Sequence, residues 1–348
     1  MATVPCGCSP GGGTSVPVSP VTEAPVANTA QPTPAPDSPT PAPLPPAKPV
    51  SDRPANEAGL IPVLEYHRVI TVKPSRYDRR ASDFRKDLER LYKEGYRPVA
   101  LQDMLAGKID LPAGASPVIL TFDDADASQF RYLKDGTTLD PNCAVAILRE
   151  FEQKHADWKT RATFYVLPES AFGPAKERTA KFKFLRDEMG CEIGNHTVKH
   201  VSLKSLSDAK VQEEIGGAVQ KIQKILPDTP IVSIALPMGI APKNRSLLGK
   251  GTYANQPYAN ASVMLVGANP SPSPFAKSFD PMYIPRIQAV EGGSGITDWL
   301  DQMKKGKTAY VSDGDPTTVT VPARDAAKIA PERLRGQKLN AVSTGETK

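Results

Sequence analysis

Residues 116–126 read SPVILTFDDAD, and this stretch decides the fold class. Its part PVILTF, residues 117–122, is uncharged and rich in β-branched side chains, the composition of a strand buried on both faces in an α/β protein. Three acids then crowd into four positions, Asp123, Asp124 and Asp126. Like charges repel and burying a carboxylate is costly, so adjacent acids at the end of such a strand need a reason. In α/β folds the C-terminal strand ends open on the crevice where ligands bind, and a metal ion or a proton-transfer role there would explain them.

Outward from this stretch the hydrophobic period alternates between strand and helix. Residues 61–67, IPVLEYH, predict a first buried strand. Residues 82–95, SDFRKDLERLYKEG, predict a helix with Ser82 as N-cap, Phe84, Leu88 and Leu91 on one face, and Gly95 as its stop. Further on, strands are expected at 161–167, 191–196, 231–237 and 262–267, with TAYVS at 308–312 as a last candidate. Helices are expected at 144–155, through 181–190, at 207–226 capped by Ser207, and at 295–306. About seven strands with intervening helices fit one α/β domain, compatible with a barrel.

The 348 residues are unevenly composed. Fifteen of the 36 prolines fall in the first 56 positions, in a run that cannot bury enough apolar surface to offset its ordering entropy. Residues 1–58 therefore read as a disordered Pro-rich tether, 59–315 as the folded domain, and 316–348 as an irregular C-terminal tail. A net charge of +5, from 43 basic and 38 acidic residues without a long basic block, does not point to nucleic acid. No run of 18 apolar residues exists to span a membrane, and a monomer is expected. Cys6, Cys8, Cys143 and Cys191 lack zinc-type spacing. VPCGCSPGGG followed by a Pro-rich segment is similar to the mature start of a bacterial lipoprotein with Cys8 at its head, if an upstream signal is missing.

The second unusual stretch is EIGNHTVKH, residues 192–200, which holds two of the four histidines, His196 and His200. A catalytic zinc site takes three protein ligands and keeps an open position. His196, His200 and Asp124 would supply the three, leaving Asp123 beside the ion as a general base. An H-x-x-x-H pair alone is more often a surface or capping feature, and DD alone often a turn. It is their joint occurrence at two strand ends that favours a metal, zinc or another divalent ion.

TFDD followed by HTxxH resembles the first two motifs of the polysaccharide deacetylases, the NodB-homology domain of carbohydrate esterase family 4, with similarity running from IPVLEYHRV through RATFYVL to ALPMG. The resemblance implies a distorted (β/α) barrel of about seven strands, a divalent metal, and removal of acetyl groups from polymers such as peptidoglycan, chitin or xylan. It also implies Asp123 as base, Asp124, His196 and His200 as metal ligands, and the backbone N–H of Met238 as oxyanion donor, presented by a turn that Pro237 fixes at the substrate side. An acetylated polysaccharide would be the partner, met outside the cytoplasm by a secreted or surface-tethered protein.

Three departures from the family pattern stand out. Ala235 takes the place of the third-motif Arg, Ala125 that of the glycine after TFDD, and no histidine follows His200 to protonate the leaving amine. Arg286 in IPRIQ is a candidate to orient the base or to meet substrate, Asp313 in YVSDGD a candidate acid, and His67, at the first strand end, a candidate for a role toward substrate. His155 reads as structural. Two other functions fit the same residues: a non-catalytic zinc-containing carbohydrate-binding protein, and an O-acetyl esterase, whose alkoxide leaves with less need of a proton.

Overall fold

The run at 116–122 is the strand to which the rest of the sheet is joined. The structure, a computed structural model, describes residues 50–72 and 75–343. Its main elements in chain order are β1 (Val63–Tyr66), α1 (Ala81–Lys93), β2 (Tyr96–Pro98), β3 (Ser116–Phe122), α2 (Ala144–Lys154), β4 (Ala162–Val166), β5 (Glu192–Asn195), α3 (Asp208–Ile225), β6 (Ser233–Ala235), β7 (Ser262–Met264), β8 (Ile287–Gln288) and α4 (Ile296–Gly306). The sheet runs β7-β6-β5-β4-β3-β1-β8 with every pairing parallel, and β2 joins β3 below its end. A parallel bridge between Met264 and Ile284 brings the segment before β8 back onto β7. The sheet thus curls into a distorted (β/α) barrel of seven strands, as the sequence predicts.

Strand parity sorts the core into two clusters. Leu64, Tyr66, Val118, Leu120, Phe122, Phe164, Ile234 and Val263 face the helices, packing with Phe84, Leu88, Leu148 and Ile215. Their neighbours Val63, Ile119, Tyr165, Ala235 and Met264 turn inward and fill the barrel with Ile284 and Tyr310. Side chains alternate across a strand with a period of two, so the inward rows continue to Glu65 and His67 on β1, to Thr121 and Asp123 on β3, and to Arg286 before β8. The polar residues of the barrel mouth are selected by this period.

Some boundaries differ from the expectation. Helix α1 starts at Ala81 with Arg80 at the N-cap position, because Arg79 and Arg80 pair with residues 69–70; Ser82 falls inside the first turn. Gly95, at φ 83°, ends that helix as expected. The 308–312 segment is not a sheet strand: it makes isolated bridges, Ala309 to Leu60 and Val311 to Asn56.

The described parts of both ends assigned to irregular chain, residues 50–58 and 316–343, are built into the domain. Residues 316–343 include β9 (Thr318–Pro322) paired in parallel with β10 (Lys338–Val342), and Val319 and Val321 are buried. Ser51 and Arg53 bond to the Gly114 carbonyl, and Glu57 is buried under β9. The alternating TVTVP pattern supplies inward valines, so the tail buries apolar surface after all. The expected lipoprotein head, with Cys6 and Cys8, lies outside the described residues, while Cys143 and Cys191 are buried free thiols.

Candidate metal centre and catalytic site

The chain leaves β3 through Asp124 at φ 71° and Ala125 at φ 52°, two consecutive left-handed residues. This sharp turn leaves Asp123 pointing into the barrel and swings Asp124 toward β5. Ala125 thus takes, at a steric cost, the conformation that glycine adopts freely, and its carbonyl accepts the Phe172 N–H at 2.6 Å. On β5, Gly194 is required: a Cβ there would lie 2.4 Å from the Tyr165 ring. The strand end is then held by Asn195, whose side chain donates to the Ile215 carbonyl and accepts the Thr197 N–H at 2.8 Å.

Asp124, His196 and His200 meet, with one donor atom of each within 4.8 Å of the others. His196 Nε2 and His200 Nε2 are 3.4 and 3.5 Å from Asp124 Oδ1. His196 donates Nδ1–H to the Ala235 carbonyl at 2.9 Å, which fixes the tautomer and turns the Nε2 lone pair to the cluster. That Nε2 is buried and has no hydrogen-bond partner among the described residues. Two imidazoles and a carboxylate are the ligand chemistry of a catalytic zinc or similar divalent ion, and an orphaned buried ring nitrogen fits such an ion.

The charges agree. Burial opposes protonation of His196, but Asp123 and Asp124 outweigh it and push its pKa up; the same negative field would hold a cation. Burial and the neighbouring His196 lower the pKa of His200, which favours the neutral form a metal ligand needs.

Asp123 is held apart from the cradle. Both its oxygens are bonded to Arg286, from Nη1 and Nη2 at 2.7 Å each. Arg286 is itself anchored by the Leu265 carbonyl at 2.7 Å and Thr121 Oγ1 at 3.1 Å. Burial alone would raise the Asp123 pKa, but the Arg286 guanidinium, with His196 behind it, holds the carboxyl well below the usual range. Arg286 is fully buried, so it faces the acid and not a substrate. Pro237 is also buried, while Met238 is half exposed at φ 56° in the turn after β6.

His67 stands across the mouth, with Glu65, His67 and Asp123 offering atoms within 4.8 Å of one another. Asp313 is not there. Ser312 bonds to Ala115 at the opposite end of β3, about 20 Å away for a strand of this length, and Asp313 accepts from Thr318 and Thr320. It follows no barrel strand, so it cannot serve as the acid. His155 packs against Tyr92 and Phe151 at ring distances of 4.0 and 4.4 Å.

Two residues of the mouth escape motif reading. Gln129, fully buried, donates Nε2–H to the carbonyls of His67 and Asp123 at 2.9 and 2.5 Å, joining the two strand ends. Glu65 was visible as the one charge within PVLEY, on the inward row with Val63 and His67.

A parallel (β/α) barrel with an Asp–His–His cradle at the C-terminal mouth defines a barrel protein with a candidate metal centre. Residues 110–251 match the model of the family described as polysaccharide deacetylase. Three solved structures share the fold. A Bacillus anthracis protein described as a polysaccharide deacetylase is 16% identical with a TM-score of 0.52, over 73% of this chain and 69% of that one. The Streptococcus pyogenes deacetylase PplD, solved with acetate, is 19% identical with a TM-score of 0.51, over 70% and 97%. A polysaccharide deacetylase from Bacillus cereus is 16% identical with a TM-score of 0.50, over 71% and 68%. No curated protein matches.

Proposed function

We propose that this protein is a metal-dependent deacetylase of an N-acetylated cell-wall or surface polysaccharide, acting outside the cytoplasm. The observation that carries the reading is the bidentate Arg286–Asp123 pair beside the cradle: it supplies a base-orienting Arg that the third motif lacks. This removes the main reason to prefer a carbohydrate-binding protein without catalysis.

A divalent ion, zinc in this proposal, would be held by Asp124, His196 and His200, and would polarise the acetyl carbonyl and make water more acidic. Asp123, kept ionised and in one orientation by Arg286, takes a proton from the attacking water. The Met238 N–H, at the turn next to the strand that anchors His196, donates to the developing oxyanion. His67, on the far side of Asp123, gives a proton to the leaving nitrogen as the C–N bond breaks. The two proton movements are thus divided between two groups, Asp123 and His67.

Asp123→Asn tests the base. Because Asp123 is not a ligand, the variant keeps its zinc but loses a hundredfold or more, on the order of a positioned base's contribution, on N-acetylated chito-oligosaccharide. Undiminished turnover in that variant would overturn the mechanism. Metal and sugar binding by wild type, with no turnover of acetylated glycan or of an acetate ester, would make the binding protein the better reading.

A further inference from the structure

Glu65 lies on the inward row of β1, with its side chain fully buried. Its Oε2 accepts the Gly267 N–H at 2.9 Å, which fixes the carboxylate. Its Oε1 is buried and has no hydrogen-bond partner among the described residues. A buried carboxylate oxygen without a donor is an unfavourable arrangement that native proteins avoid. Two donors face it: Arg286 Nη2 at 3.6 Å and His67 Nε2 at 3.7 Å.

Arg286 is pinned by short bonds to Asp123, Thr121 and the Leu265 carbonyl, which use four of its five N–H groups, so its remaining Nη2–H cannot approach Oε1 more closely than the 3.6 Å observed without breaking them. The His67 ring makes no hydrogen bond among the described residues: its side chain is about one-fifth exposed, and only its main-chain carbonyl is bonded, to Gln129. A small rotation of the imidazole closes 3.7 Å to hydrogen-bond length, whereas Glu65 cannot shift without losing Gly267. The orphan oxygen and the unbonded ring are therefore matched.

We propose that Glu65 is a positioning residue for His67: Oε1 accepts the His67 Nε2–H, fixing the ring's tautomer and orientation and leaving Nδ1 as the nitrogen that serves the reaction. Toward the reaction this rests on the deacetylase reading; the tautomer does not depend on it. In the transfer step the Nδ1–H bond breaks and an N–H bond forms on the leaving nitrogen, which keeps the electron pair of the broken C–N bond. The imidazole is left neutral and still bonded to Glu65. Asp123 gains one proton from water as His67 loses one, so the protein's total is unchanged and exchange with solvent restores both groups.

The test uses the full zinc-loaded chain and Glu65→Gln, which keeps the size but presents an amide in place of an acceptor pair. On N-acetylated chito-oligosaccharide the variant loses about tenfold or more in kcat, a part of what a positioned acid contributes, with KM changed less than about twofold. On para-nitrophenyl acetate, whose phenolate leaves without a proton, its rate stays within about twofold of wild type. Equal losses on both substrates, or no loss on the amide, overturn the inference. Nitrogen NMR of the wild-type protein gives a readout independent of activity and of the variant's folding, because only four histidines contribute. Neutral His67 is expected as the Nε2–H tautomer, and a bare Nε2 overturns the inference. Wild type inactive on the glycan sinks the deacetylase reading alone, and the tautomer still decides Glu65.

Discussion

Asp123 keeps its charge in a buried place because one guanidinium satisfies both of its oxygens. Burying a charge without a partner is far costlier than burying a hydrogen-bonded pair, so removing either member affects the whole mouth. His200 is different: about a third of its side chain is exposed, and its backbone N–H bonds to Thr197 Oγ1 at 3.1 Å. His200→Ala should therefore abolish stoichiometric zinc binding while the metal-free melting temperature stays within about 3 °C, as expected when little packing is lost. Equal zinc in both proteins by metal analysis would remove His200 from the cradle. The cradle residues could be named from TFDD and HTVKH because each motif is local. The role of Arg286 could not be read to one meaning, since its side chain reaches Asp123 only through the sheet order that places β8 beside β1 and β1 beside β3.

Among the elements, β9 packs on an ionisable group that the barrel does not need for chemistry. Glu57 is pinned by Tyr310 Oη at 2.8 Å and the Thr320 N–H at 2.7 Å. Its pKa is pushed up to about 8, first by burial and then by the Asp313 charge, with the bonds from Tyr310 and Thr320 opposing. A carboxyl whose folded pKa lies above its unfolded value contributes stability that is complete below the unfolded value, about 4.3. That contribution is lost as pH rises toward about 8. Urea midpoints should therefore fall between pH 5 and 8 in wild type, and Glu57→Gln should flatten that slope; identical slopes would show that Glu57 titrates normally. No sequence pattern announced this contact, because Glu57 and Thr320 are joined only by tertiary packing, and the acid sits in a Pro-rich stretch that reads as unstructured.

At the scale of the molecule, the barrel was legible because strand and helix periods repeat along residues 61–306. The described parts of the chain ends were not legible, since their order comes from bonds between segments far apart in sequence. Asn56 and Val311 exchange backbone hydrogen bonds at 2.9 and 3.0 Å, the Glu57 N–H bonds to the Thr320 carbonyl at 2.9 Å, and the Val50 N–H to the Ala113 carbonyl at 2.8 Å. These bonds close the end of the barrel opposite the metal cradle, so their loss should be felt in stability and hardly in chemistry. A chain beginning at residue 59 should melt more than about 5 °C below one beginning at residue 50, the size of shift that a loss of roughly 1 to 2 kcal/mol produces in a domain of this length. Both chains should bind zinc equally, because none of Asp124, His196 and His200 contacts residues 50–58. Calorimetry of the two zinc-free chains decides the matter: coincident transitions would mean that the 50–58 segment lies on the domain without stabilising it. A lower transition accompanied by lost zinc would mean that the two ends of the barrel are coupled through β3, whose Ser116 and Phe122 border one end each.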